Sequence, residues 1–195
     1  AREPGADSQL PNLIHTWFGM LKLPEGAMST RKGNVIRLVD LLDEAVRRAK
    51  AVVDEKSPDL SAELRETIAE AVGVSAIRYS DLSQNPQSDV TFEWNRILSL
   101  EGNTAPFLMY SYARGRGIQR KGGVTDPSVD HISIDTKQSR DLALQLLKFP
   151  GVVELAQSQR RPNLICDHLY ETATAFNRFY FSNKVLTAET EELKT

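Results

Sequence analysis

From Leu38 to Val53 the apolar residues recur three and four places apart, and no other feature constrains the fold of this chain as much. Leu38, Leu41, Leu42, Ala45, Val46, Ala49, Val52 and Val53 form one stripe, which predicts an amphipathic helix as far as about Lys56. Asp40 stands as its cap, with Asp43 three places on as an acidic variant of the capping box. Ser57-Pro58-Asp59 breaks the helix and Ser61 caps the next. That second helix carries Leu64, Ile68, Ala71, Val72, Ser75, Ala76 and Tyr79 on neighbouring rows. Gly73 lies inside it, at about 1 kcal/mol relative to alanine, which points to close packing or a kink. A chain patterned in this way folds as a helical bundle with short connections.

The same spacing predicts three further helical stretches. One runs from near Asn103 to Lys121, with Pro106 in its first turn and Gly122-Gly123 at its end. Another covers about Ser139 to Lys148, is interrupted at Pro150-Gly151, and leads into a short helix holding Val152, Val153, Leu155 and Ala156. The last begins near Pro162 and carries Ile165, Leu169, Ala173, Phe176 and Tyr180. Val90 to Trp94 is expected to be short and extended, with two aromatic anchors. Val124 to Lys137 is expected to cross the surface, and the tail from Thr187 is polar.

Before Asp40 the pattern differs. Residues 12 to 38 read as strands, with Leu13, Ile14, Thr16, Trp17, Phe18, Met20, Leu21 and Leu23 in one β-prone run and Pro24-Glu25-Gly26 as a turn. Two strands do not stand alone in water, so this piece is expected to be the edge of a larger sheet lying mostly outside the chain.

Composition excludes several classes. Of 195 residues, 41% are apolar and 26% charged, the balance of an ordinary globular protein with one large or two small domains. The net charge of −2 confines any nucleic-acid site to a local patch. No apolar run is long enough to span a membrane, and the N-terminal residues do not read as a signal peptide. A single cysteine, Cys166, excludes an internal disulfide and fits a reducing compartment. Cys166 and His168 are two ligands at most, too few for a zinc site, so structural or surface roles are expected for both.

Two stretches carry chemistry. Met28-Ser29-Thr30-Arg31-Lys32-Gly33-Asn34 gathers two hydroxyls, two fixed positive charges and a glycine just ahead of a helix. Guanidinium, ammonium, hydroxyl and backbone N–H groups all donate to phosphate oxygens, which suits a polyphosphate. The spacing is not that of a P-loop, and a plain solvated turn fits the same residues. On the third long helix Phe107, Tyr110, Arg114, Ile118 and Lys121 share one face, and Asn103 to Gly123 holds four basic residues and no acidic one. Aromatic faces stack unpaired bases and arginines pair with phosphates, each stacked base contributing ~1–3 kcal/mol. A core role for the rings, with the cations favoured by the helix dipole, fits the same pattern. Asn177 to Phe181 repeats the mixture more weakly, through Phe179 or Tyr180.

Taken together, Met28 to Asn34, Leu41 to Ala45, Ala76 to Ser83 and Leu100 to Tyr110 resemble arginyl-tRNA synthetase over nearly the whole chain. The resemblance implies a mainly α fold: residues 1–38 as the C-terminal edge of a Rossmann-type catalytic domain, and 39–195 as an all-α anticodon-binding domain lacking its last helix. It implies that arginine attacks the α-phosphate of ATP and that the arginyl group then passes to the 3′-terminal ribose of arginine tRNA, by positioning and electrostatics more than covalent help. Met28, Ser29, Thr30, Arg31, Lys32 and Gly33 match the second class I signature, Lys-Met-Ser-Lys-Ser, which closes over ATP. Ala27 and Thr30 stand where its lysines would be, so Arg31 and Lys32 are expected to supply the charge. Phe107, Tyr110, Arg114 and Tyr180 match RNA-contacting positions.

The His-Ile-Gly-His signature is absent from these residues, and the family's arginine pocket lies upstream. The chain alone is therefore expected to form no arginyl-adenylate. ATP with Mg2+ and arginine are expected to act through the missing catalytic domain, with none bound by this piece alone. The resemblance further implies a cytoplasmic monomer whose partner is arginine tRNA. A non-catalytic helical RNA- or protein-interaction module is the alternative. A related class I enzyme such as the cysteinyl synthetase is disfavoured by the string Leu100 to Tyr110.

Overall fold

A computed structural model describes residues 13–23, 26–27, 37–123, 134–183 and 185. Its elements in order are β1 (Leu21–Leu23), β2 (Gly26–Ala27), α1 (Leu38–Lys56), α2 (Ala62–Leu82), β3 (Val90–Thr91), α3 (Trp94–Ile97), α4 (Ala105–Gly122), α5 (Lys137–Leu147), α6 (Phe149–Gln159) and α7 (Asn163–Ser182). The mainly helical expectation holds.

The long strand run does not hold. Leu13 to Met20 has no regular structure, and among the described residues before the helices strand is confined to β1 and β2, while residues 28–36 of the expected strand region lie outside the described residues. β1 lies in the middle of a small sheet ordered β2-β1-β3, antiparallel to β2 and parallel to β3. Asp89 fixes this pairing by accepting from the Met20 N–H at 2.8 Å and pairing with Lys22 at 2.7 Å. Gly19 is pressed so close to the Ser88 backbone that a Cβ would lie 2.1 Å from its carbonyl oxygen. Much of the apolar run is unsheltered, with Leu13 87% and Phe18 83% exposed. A strand-like composition does not by itself make strand where no ladder partner is at hand.

Helix α1 begins at Leu38, two residues before its expected cap, and Arg37 is its N-cap. Asp40 instead lies in the first turn and pairs with Arg37, where it also favours the helix dipole. Ser61 caps α2 as expected, accepting from the Leu64 N–H at 3.2 Å. α1 and α2 form a hairpin with Ala45, Ala49, Ala69, Gly73 and Ala76 buried. Small residues let the two backbones approach, and the close packing expected at Gly73 is present: a Cβ there would meet the Val46 Cα at 2.7 Å. The buried row of α2 is thus Ala69, Gly73, Ala76 and Ile77, turned from the row its larger residues suggest. Lys50 and Arg65 share the carboxylate of Asp54 across the hairpin.

Ala45, Ile77, Phe92 and Ile97 make a core between the hairpin and the β3–α3 segment. Phe92 and Trp94 are the two expected anchors, edge to face at 4.9 Å. The four-residue α3 was not expected. Arg48 ties it to α1, its guanidinium lying 4.8 Å from the Trp94 ring centre.

Helix α4 starts one turn before Leu108, with Thr104 as its N-cap, and stops at Gly123 in the left-handed region at φ 69°. α5 begins at Lys137, ahead of the expected Ser139, because Thr136 and Ser139 form a reciprocal capping box. Pro150-Gly151 does not interrupt a helix. The break falls at Lys148, and Pro150 occupies the first turn of α6, where its missing N–H costs nothing. α7 begins at Asn163 as expected. The expected surface crossing (apart from residues 134–137) and the polar tail lie outside the described residues.

One hydroxyl joins the two halves. The Tyr79 O–H on α2 reaches the Asn103 side-chain oxygen at 2.6 Å and the Cys166 carbonyl of α7 at 2.9 Å. Asn103 in turn donates to Asp167 at 3.2 Å. Burial, then Cys166 and Asp167 nearby, pushes the Tyr79 phenol above its ordinary value. The folded chain thus keeps this proton when the unfolded chain, at about pH 10, releases it. The contribution of Tyr79 is complete below that pH and is lost as pH rises further. A Tyr79→Phe chain is expected to unfold about 1–2 kcal/mol more readily at pH 7. Urea titrations should show that gap closing above about pH 10 as the parent weakens.

Candidate nucleic-acid interface

The Thr104 hydroxyl accepts from the Phe107 N–H at 3.3 Å and donates to the Ser99 carbonyl at 2.6 Å, which fixes the first turn of α4. One turn on, Ser111 is buried and donates back to the Phe107 carbonyl at 2.9 Å. α7 lies alongside. Phe107 meets Tyr170 with ring centres 5.5 Å apart, Ser111 accepts from Asn177 at 2.9 Å, and Arg114 reaches the far end of α7. These pairings climb both helices together, so α4 and α7 run in the same sense.

Arg114 is the hub. Its guanidinium carbon lies 4.8 Å from the ring centres of Tyr110, Tyr180 and Phe181 alike. Its Nη1 donates to the side-chain oxygen of Asn177. Tyr180 and Phe181 pack edge to face at 5.5 Å. Tyr110 is 55% exposed and Phe181 75% exposed, so the cluster opens to solvent while Arg114 and Tyr180 are half-buried within it. A cation among ring faces is stabilised by their quadrupoles. Its remaining N–H groups retain the planar fork that suits phosphate oxygens.

Of the sequence-predicted RNA contacts, Tyr110, Arg114 and Tyr180 therefore meet. Phe107 stands apart, half-buried against Tyr170 and lining a cavity of about 550 Å³ with Asn177, Arg178 and Phe181. Sequence reasoning left out Ser111, Asn177 and Phe181 as site residues. A signal was available: Tyr170, Thr174, Asn177 and Phe181 follow the same three-and-four spacing on α7 as Phe107, Ser111 and Arg114 on α4.

Residues Met28 to Gly33 lie outside the described residues. Cys166 and His168 are both buried, and His168 stacks on Phe149 with Gln145 against its Nδ1. Among the described residues no group of His, Cys, Asp and Glu could hold a metal ion. No described helix is long and apolar enough to cross a membrane.

Residues 2–94 match the family described as tRNA synthetases class I (R), catalytic domain, and residues 108–195 match the DALR anticodon binding domain. Fold and sequence thus define the helical end of a class I aminoacyl-tRNA synthetase. The arginine–tRNA ligase of Fusobacterium nucleatum is 48% identical over 184 residues, 93% of this chain and 32% of that protein. That of Chloroflexus aurantiacus is 44% identical over 186 residues, with the same coverage. The solved arginyl-tRNA synthetase of Thermus thermophilus superposes with a TM-score of 0.79 at 33% identity, over 91% of this chain and 30% of that one. The Plasmodium falciparum enzyme gives 0.75 at 28% identity, with the same coverage. The chain belongs to the arginyl-tRNA synthetase family and corresponds to its C-terminal region, the end of the catalytic domain followed by the anticodon-binding domain. It spans about a third of the length of the curated relatives it matches.

Proposed function

We propose that this chain is the tRNA-reading part of an arginine–tRNA ligase and that the open end of the α4–α7 pair holds the anticodon loop. The observation that supports this most is the guanidinium of Arg114 set among three rings, two of them exposed, within the stretch that matches an anticodon-binding domain. Unpaired bases would stack on Tyr110, Phe181 and Tyr180, while Arg114 neutralises a backbone phosphate. Phe107 would act from the adjoining cavity.

In the whole enzyme the product is arginyl-tRNA, made from arginine, tRNA and ATP with its Mg2+. Met28 to Gly33 would close over ATP, with Arg31 and Lys32 carrying the charge of the missing signature lysines. The unsheltered apolar residues Leu13, Trp17 and Phe18 suit a segment packed against the rest of that domain. The reading carries with it a monomer working in the cytoplasm. The alternative, a non-catalytic interaction module, draws no support from relatives that are named as ligases.

The test is competition binding. The chain is expected to bind an arginine tRNA transcript in preference to a cysteine tRNA transcript, with affinity falling as salt rises. Equal binding of both, or none, would overturn the reading.

A further inference from the structure

Arg114 has an unusual hydrogen-bond partner for a half-buried guanidinium. Its Nη1 donates to an amide, the side chain of Asn177, rather than to a carboxylate. The amide is itself held, because its Nδ2 donates to the Ser111 hydroxyl at 2.9 Å, and Ser111 donates to the Phe107 carbonyl at 2.9 Å. A chain of three hydrogen bonds therefore runs from the α4 backbone through α7 and back to α4. It ends on the cation at 4.8 Å from three ring centres.

A carboxylate at position 177 would hold the guanidinium as firmly, or more so, and would cancel its charge. A neutral acceptor fixes the planar group and leaves it a full positive charge. That distinction is irrelevant to packing α4 on α7, but it decides whether an anion is attracted.

We propose that Asn177 is a positioning residue, which orients Arg114 among Tyr110, Tyr180 and Phe181 and preserves its charge for a phosphate of single-stranded RNA. The proposal rests on the tRNA-reading function above and adds to it the residue that sets the cation. The requirement at 177 is for a group that is both a neutral acceptor for Arg114 and a donor to Ser111.

The experiment titrates the full chain and its variants with an arginine tRNA transcript over a salt series, alongside thermal unfolding. Asn177→Asp keeps an acceptor for Arg114 and is expected to unfold within a few degrees of the parent. Its affinity should nevertheless fall about tenfold, with the slope of log K against log salt shallower by about 0.7, the value for one single-strand phosphate contact. Ser111→Ala leaves the charge but frees the amide, so affinity should fall about two- to fivefold with the slope unchanged. A purely structural Asn177 predicts parental affinity and slope for a stably folded Asn177→Asp, and that result overturns the proposal. Should Asn177→Asp not fold, parental affinity in a folded Ser111→Ala chain overturns it as well. Failure of the unaltered chain to bind the transcript overturns the tRNA-reading function itself, and is seen before any substitution is made.

Discussion

An Arg114→Ala chain is expected to bind arginine tRNA about 30-fold more weakly than the parent, a loss of about 2 kcal/mol. Two contributions vanish together. The phosphate contact goes, which should lower the salt slope by about 0.7. The common neighbour of Tyr110, Tyr180 and Phe181 goes too, so the rings lose the group that sets their spacing. Arg114→Lys should restore the slope but only part of the affinity, because an ammonium lacks the planar fork that lies among the rings and bonds Asn177. Tyr110→Ala should behave in the opposite way, losing about tenfold in affinity at an unchanged slope, since a stacking face carries no charge. Filter binding at four or five salt concentrations separates the three patterns. Parental affinity in Arg114→Ala would exclude this helix pair as the RNA surface.

The second large effect is on stability. Gly73→Ala is expected to destabilise the chain by about 2–3 kcal/mol, well beyond the ~1 kcal/mol that alanine gains in helix propensity. The added methyl would lie 2.7 Å from both the Cα and the N of Val46, and backbone atoms of a packed helix cannot swing aside as a side-chain tip can. The α1–α2 hairpin would have to spread, loosening the seal over Ala45, Ala49, Ala69 and Ala76. The expected fall in melting temperature is about 5–10 °C for a chain of this size. Gly117→Ala in α4 is the control. A Cβ there meets nothing within 4 Å, so that change should be neutral or stabilising by up to about 1 kcal/mol.

What the sequence made legible follows the range of each interaction. Helices α2, α4 and α7 begin within about two residues of where Ser61, Asn103 and Pro162 place them, because the caps of α2 and α4 are settled by neighbours three residues away and the ring of Pro162 suits the start of α7 without a side-chain cap. Gly73 announced its own role, since a glycine inside a helix needs a packing reason. The β segment misled because its pairing with β3 is remote, although its pairing with β2 is local. Met20 is held by Asp89, which lies 69 residues on, and no local pattern in Leu13 to Leu23 reports that contact. Pro150 misled for another reason, as the same residue breaks a helix from within and suits its first turn.

The candidate site divides in the same way. Tyr110 and Arg114 sit one turn apart on a single helix, and their spacing was enough to pair them. Tyr180 stood out beside Phe179 in the mixed stretch of its own helix, and family resemblance then singled it out. For Asn177, Ser111 and Phe181 the three-and-four spacing gives a shared helix face but no partner, because an asparagine or a serine in a helix does not report what it meets across an interface; that came once α7 was laid against α4.

The Tyr79 hydroxyl carries a mechanical consequence. It stands within the stretch matched to the catalytic domain, yet it grips Asn103 just ahead of α4 and a carbonyl of α7, both of which frame the proposed RNA surface. Swivelling that surface against α2 would strip a half-buried phenol of both its partners. The junction is thus braced across its bend as an elbow is, and on the proposed function a tug on α7 from a bound loop would be felt at the hairpin through these two hydrogen bonds.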